Sequence, residues 1–332
     1  MSHKTKMIIL LWILALGVLG LYFIMENLIP KASAEYINEK RKAVELATEA
    51  RAMIGERLLG EEYTASSTTL GDRDAKLLSQ APDFPALIVQ WLKEGGMEAG
   101  DSVAINASGS FPALNIAALS AINAIGAKPL MISSLGASSW GANRPDFTWL
   151  HMEQILISRW PEYASIAVSL GGDGDMAEGL FEEGQQALYD ALKLTNVPVL
   201  MPTTAEDVFS GRMQAWRAGN DNGELPKMLI NVGGNVAYWG SRDRDTLRDE
   251  GLITPSMLVI DRNGVGDRFL AEGRPIIHML NIKQMAARYK ITMPPDANSP
   301  IWAKPDISTV ARIGIILALL LGMAGIVRLF RS

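Results

Sequence analysis

Residues 101–137 read DSVAINASGSFPALNIAALSAINAIGAKPLMISSLGA. A short apolar run at 102–106 passes through a Gly/Ser turn into an Ala-rich helical pattern, and a second apolar run follows at 129–133. Pro112 opens the helical stretch, where a missing N–H costs nothing, and Gly126 stops it, where left-handed backbone carries no Cβ clash. Strand, helix, strand in this order is a βαβ unit, whose strands run parallel through a right-handed crossover.

The alternation continues downstream. Helical patterns at 148–159, 176–194 and 205–217 separate β-like runs at 166–170, 198–201 and 228–232, and two more such runs lie at 257–260 and 276–280. Upstream, 33–59 reads as a helix, 60–72 as a loop, and a further helix opens at Pro85 and ends at Gly95-Gly96. The expectation is a mostly parallel, doubly wound, Rossmann-like α/β domain over 97–305, preceded by a helical membrane-proximal region over 26–96.

Composition sets the outer bounds. A chain with 48% hydrophobic and 20% charged residues is not disordered. A net charge of −5 argues against a general nucleic-acid binder. The absence of cysteine removes disulfides, thiolate metal sites and Cys nucleophiles. No dinucleotide G-x-G-x-x-G or Walker A pattern occurs, so no cofactor is expected. His151 and His278 are too few for a His-rich zinc site, and no metal is expected.

Two uncharged or nearly uncharged runs lie near the ends, 7–25 and 307–327, the second interrupted only by Arg312. At 1.5 Å per residue each makes about 28–32 Å of helix, close to the hydrocarbon thickness. Both read as transmembrane helices. The first reads alternatively as a cleaved signal peptide ending near Ala32-Ser33-Ala34, and each reads alternatively as a buried core helix. Short basic tails, 1–6 with Lys4 and Lys6 and 328–332 with Arg328 and Arg331, favour two cytoplasmic ends and an extracytoplasmic middle. All 36 acidic residues fall outside 1–25 and 312–332, so the middle is more acidic than the chain as a whole. Gly314, Ala318 and Gly322 share one helical face of the kind that lets membrane helices approach closely, a spacing that ordinary membrane composition also produces.

The ends of the expected strands carry the candidate site. In open parallel sheets these carboxyl ends share one edge, where ligands bind at a switch point. Here they are Ser108-Gly109-Ser110, Ser134, Gly172-Asp173, and Gly233-Gly234-Asn235. Small residues there expose backbone N–H groups to an anion, although βα turns need the same residues for capping. Ser108 and Ser110 are candidate nucleophiles, with His151 or His278 as base and Asp173 as the orienting acid; the sequence is not G-x-S-x-G. The favoured readings, however, are Ser110 as a helix cap and His278 as a satisfied core histidine in an apolar strand. Asp173 and Asp175 read as acids complementing a helix start or as ligands of a hard cation. Trp140, Phe147 and Trp149 around Arg144 form either an aromatic lip or packing, and the alternating charges at 242–249 form a self-paired face or an anion groove.

The stretches INASGSFPALNIAALSAINAIGAKPLMISSLGASSWGANRPDFTWLHME (105–153), SIAVSLGGDGDMAEGLFEEG (165–184), LINVGGNVAYWG (229–240) and GRPIIHMLNIKQMAARY (273–289) resemble, in their linear arrangement, the poly-gamma-glutamate system protein family. This is the membrane-bound W component found with poly-γ-glutamate synthase and export proteins. The resemblance implies an accessory role in making, exporting or processing this capsule polymer at the bacterial cytoplasmic membrane. It implies as partners the other membrane subunits of the system, and as ligand the polymer or a small anion; it assigns no catalytic residue. A γ-glutamyl hydrolase or transferase and a structural scaffold remain the alternatives.

Overall fold

The computed structural model describes residues 35–172, 174–234, 236–239, 250–255 and 264–292, with isolated positions within 5–20 and at 314 and 317. The chain divides into two compact units, Tyr36–Asn298 and a second made of Met1–Glu35 with Ser299–Ser332. In the second, the isolated described positions are helical. The expected spans 7–25 and 307–327 lie mostly outside the described residues, and among the described residues no helix is long and apolar enough to cross a membrane.

The larger unit is an α/β sandwich. Its strands are β1 (Ser102–Ser108), β2 (Lys128–Ser134), β3 (Ser165–Ser169), β4 (Val199–Leu200), β5 (Met228–Val232), β6 (Gly251–Ile253) and β7 (Ile276–Met279). They form one seven-stranded sheet in the order β4-β3-β2-β1-β5-β7-β6, parallel except at the β6 edge. The chain winds outward from β1 in one direction through β4, then crosses back to β5 beside β1, so the switch point lies between β1 and β5.

Ten helices are described: α1 (Ile37–Ile54), α2 (Arg73–Leu78), α3 (Asp83–Glu94), α4 (Pro112–Ala124), α5 (Trp149–Ile157), α6 (Glu182–Leu192), α7 (Ala205–Gly219), α8 (Val236–Trp239), α9 (Val265–Ala271) and α10 (Ile282–Tyr289). Strand periodicity sorts the two layers. Val103, Ile105, Met131, Met228, Ile230, Ile277 and Met279 point into one core with α1, α3, α4 and α10. Ala104, Leu130, Ile132, Ala167, Leu229 and Ile276 point into the other with Val208, Phe209, Met213 and Trp216 of α7 and Phe269 of α9.

Two local expectations change. Within the expected membrane-proximal region 26–96, residues from 36 onward group with the sheet unit: Ala43, Ala47, Ala50 and Ile54 of α1 form a buried, mostly small-residue stripe that packs on Ala-rich α4. The helix at 176–194 starts only at Glu182, because Gly171, Gly172, Asp175, Ala177 and Gly179 take positive φ and fold the preceding residues into turns. The run 257–260 lies outside the described residues; the antiparallel edge strand among the described residues is the three-residue β6.

Candidate functional site

The loops that follow β1, β2, β3, β5 and β7 line one cavity of about 580 Å³. Ser108, Ser110, Ser134, Gly172, Gly233 and Gly234 lie on its wall. Gly109 lies in the same turn but not on the wall, and Asp173 and Asn235 lie outside the described residues. The wall is completed by residues that the sequence reading does not name as candidates, above all Asp72 and Lys76 at α2, Ser138 in the loop after β2, and Lys283 at the start of α10.

Close backbone approach builds this floor. Gly109 N–H donates to the Ser134 carbonyl at 2.8 Å and Ala142 N–H to the Gly109 carbonyl at 2.8 Å, which straps the β1 turn to the β2 loop. At Gly136 a Cβ would lie 2.7 Å from the Gly172 nitrogen. Backbone cannot yield there as a side-chain tip can, so Gly136→Ala is expected to cost about 1–3 kcal/mol and to push the β3 loop out of the cavity wall. A urea midpoint unchanged from the parent protein would contradict this close contact.

The 60–72 loop runs beside the β2 loop. Thr68 N–H donates to the Ala137 carbonyl (2.9 Å) and Ser139 N–H to the Thr69 carbonyl (3.0 Å). Asn143 pins the pair by donating to the Glu61 carbonyl (2.9 Å) and to Ser67 Oγ (2.8 Å). This pairing brings α2 over the cavity, with Asp72 capping it through Ala75 N–H at 3.0 Å. Asp72 also pairs with Lys283; that hydrogen bond, followed by the one from Ala75, lowers its pKa.

Lys76 is the most unusual group in the cavity. It is only 4% exposed. Its Nζ donates to Ser138 Oγ at 2.8 Å and to the Ser110 carbonyl, and sits 3.6 Å from the Phe111 ring centroid. Both hydrogen-bond partners are uncharged, and among the described residues no carboxylate pairs with it. Burial pulls its pKa down to about 7, an effect that Asp72 only partly opposes.

Ser108, Ser110 and Ser138, three of the four wall serines, differ. Ser108 Oγ accepts from Ser110 N–H (3.1 Å), and Ser110 Oγ accepts from Ser138 N–H (3.0 Å), so both hold turns together. Ser138 Oγ instead faces the amine. His151 sits in the first turn of α5, where its Nδ1 meets Thr148 N–H at 3.1 Å in a capping arrangement. Burial is the main cause of its lowered pKa. It is not on the cavity wall, and the described residues assemble no Ser–His–Asp triad.

A buried polar row supports the floor from the α7 side. Arg212, fully buried, donates to Asp175 Oδ2 (2.6 Å), Asn106 Oδ1 (3.3 Å), Ser134 Oγ (3.0 Å), Ser169 Oγ (2.9 Å) and the Val208 carbonyl (3.1 Å). Asp175 closes the ring by accepting from Ser169 Oγ at 2.8 Å, so it acts as an internal counter-ion. His278 meets Asn231 Nδ2 through Nδ1 at 2.9 Å and stacks on Tyr238 at 4.3 Å between centroids. It is not on the cavity wall. Trp149 and Phe147 are buried packing residues, Arg144 pairs with Glu61, and the charged run 242–249 lies outside the described residues. Among the described residues no cluster of three metal-ligating side chains occurs.

Comparison with protein-family models, with curated proteins and with solved structures finds no match to this chain.

Proposed function

We propose that the chain is a membrane-anchored accessory protein of poly-γ-glutamate synthesis or export, whose cavity holds a carboxylate at one end of the polymer. One observation carries the binding reading: Lys76 buries its amine against a hydroxyl and a carbonyl, and among the described residues no carboxylate is in ion-pair contact with it, Asp72 acting only from a distance. A buried charge with no carboxylate in contact is costly, and a ligand anion lowers that cost. The acidic body around a small cationic pocket suits one chain end better than a coat along the whole polymer.

The anchoring rests on the apolar runs 7–25 and 307–327. It is consistent with the exposure of Ile8, Ile9, Trp12, Ile13, Leu16 and Leu317, all between 42% and 65%, which lipid would cover. The polymerising and exporting membrane subunits are the proposed partners, reached through the two spans.

Calorimetric titration of the detergent-solubilised full chain with a γ-linked glutamate oligomer tests the binding. Saturable binding is expected, and Lys76→Met should weaken it about 10- to 100-fold, the worth of one charge-assisted hydrogen bond. Equal affinity in the two proteins would remove Lys76 from the site. No binding by the parent protein, together with co-purification of the synthase subunits, would leave the scaffold reading.

A further inference from the structure

We infer that Ser138 and Lys76 form a nucleophile–base pair that transfers acyl groups, cleaving an amide or ester whose acid half leaves as a carboxylate. The inference rests on the proposed reading of the same cavity and goes beyond binding. Of the serines on the wall, Ser138 alone has its hydroxyl against an amine, 2.8 Å from Lys76 Nζ. That distance is within proton-transfer reach, and a desolvated lysine beside a serine is a known alternative to histidine as base. The second Nζ contact, to the Ser110 carbonyl, and the Phe111 ring hold the amine in place. Ser110 Oγ fixes the Ser138 backbone, so the nucleophile sits in a braced turn.

The steps balance without any added reagent except water. The Ser138 hydroxyl gives its proton to unprotonated Lys76 Nζ while Oγ bonds to the acyl carbon. The tetrahedral adduct collapses, the carbon–nitrogen or carbon–oxygen bond breaks, and the leaving group takes the proton from Lys76. Water then attacks the Ser138 ester, passing a proton to Nζ, and the carbon–Oγ bond breaks as Nζ returns a proton to Oγ. The acid formed ionises to Lys76, leaving a carboxylate against an ammonium. The proposed binding state is thus the product complex of this reaction.

The test uses the detergent-solubilised full chain with two acyl donors, a γ-linked glutamate oligomer and p-nitrophenyl acetate. Expected with the ester are a p-nitrophenolate burst and an acetyl group on Ser138, located by peptide mass spectrometry. Acylation should speed up as pH rises through about 7, where Lys76 loses its proton. Ser138→Ala and Lys76→Met should each lower the rate by about a hundredfold or more. The oligomer should be shortened by the parent protein and bound intact by Ser138→Ala, whose binding also shows that it is folded. An acetyl group on Lys76, or cleavage that survives Ser138→Ala, would overturn the inference. Oligomer bound but never cut, with no acyl-Ser138 from either donor, would overturn it while leaving the binding reading in place. Acyl-Ser138 without oligomer binding would support the chemistry and remove the polymer as its substrate.

Discussion

Replacing Arg212 by alanine is expected to lower the unfolding free energy by about 3–5 kcal/mol. Arg212 is 0% exposed and Asp175 is 4% exposed, so neither charge has water to fall back on. The guanidinium uses its whole donor fork, reaching Asn106 on β1, Ser134 on β2, Ser169 on β3 and Asp175 in the loop beyond β3. Removing it leaves the Asp175 carboxylate buried with only the Ser169 hydroxyl, and it unties three strand ends at once. The paired substitution Arg212→Met with Asp175→Asn removes both charges and should cost clearly less than the sum of the single changes. Urea unfolding followed by tryptophan fluorescence reads both results, since Trp216 lies one turn along α7 from Arg212 and is fully buried. A single-mutant cost below about 1 kcal/mol would mean that the cluster is hydrated and not part of a dry floor.

The second large effect is pH-linked stability from Lys76. Its pKa falls on folding to about 7 from the ordinary lysine value of 10.5. Below pH 7 both folded and unfolded chains hold the proton, and the cost of burying the charge is fully present. Between about 7 and 10.5 the unfolded chain binds more protons than the folded one, so this group's contribution to stability rises with pH. The span corresponds to roughly 5 kcal/mol at 1.36 kcal/mol per unit. Lys76→Met lacks the contribution. It should therefore be more stable than the parent protein near pH 6, with an advantage that shrinks by a few kcal/mol towards pH 10. A stability difference between the two that is flat across this range would show that Lys76 is solvated.

The sheet was legible because its signals are local. The run 102–106 alternates two faces over a few residues, Pro112 and Gly126 bracket α4, and the structure places β1 at Ser102–Ser108 and α4 at Pro112–Ala124 accordingly. β6 was not legible: three residues opening on a glycine at φ 97° are too short to show a period, and antiparallel pairing with β7 makes them a strand. In the site, glycine and serine at the strand ends were visible for the same local reason. Lys76 was not, because a six-residue helix beginning Arg73-Asp74 reads as solvated surface. Its burial comes from the distant pairing of 67–69 with 137–139, which no local pattern reports. Arg212 did leave a trace. Val208, Arg212 and Trp216 fall four apart on one face of α7, with Phe209 and Met213 beside them, and a charge inside such an apolar stripe signals a buried partner.

The claim on which the functional account depends is that a ligand carboxylate settles against Lys76. An arriving anion favours the charged amine and so raises its pKa, which makes binding take up a proton wherever the free amine is deprotonated. Calorimetry of the γ-linked glutamate oligomer in two buffers of different ionisation enthalpy measures that proton directly. The account predicts uptake approaching one proton per site at about pH 8, little at about pH 6, and none at either pH in Lys76→Met. Tight binding with a buffer-independent enthalpy at both pH values would place the anion elsewhere and contradict it.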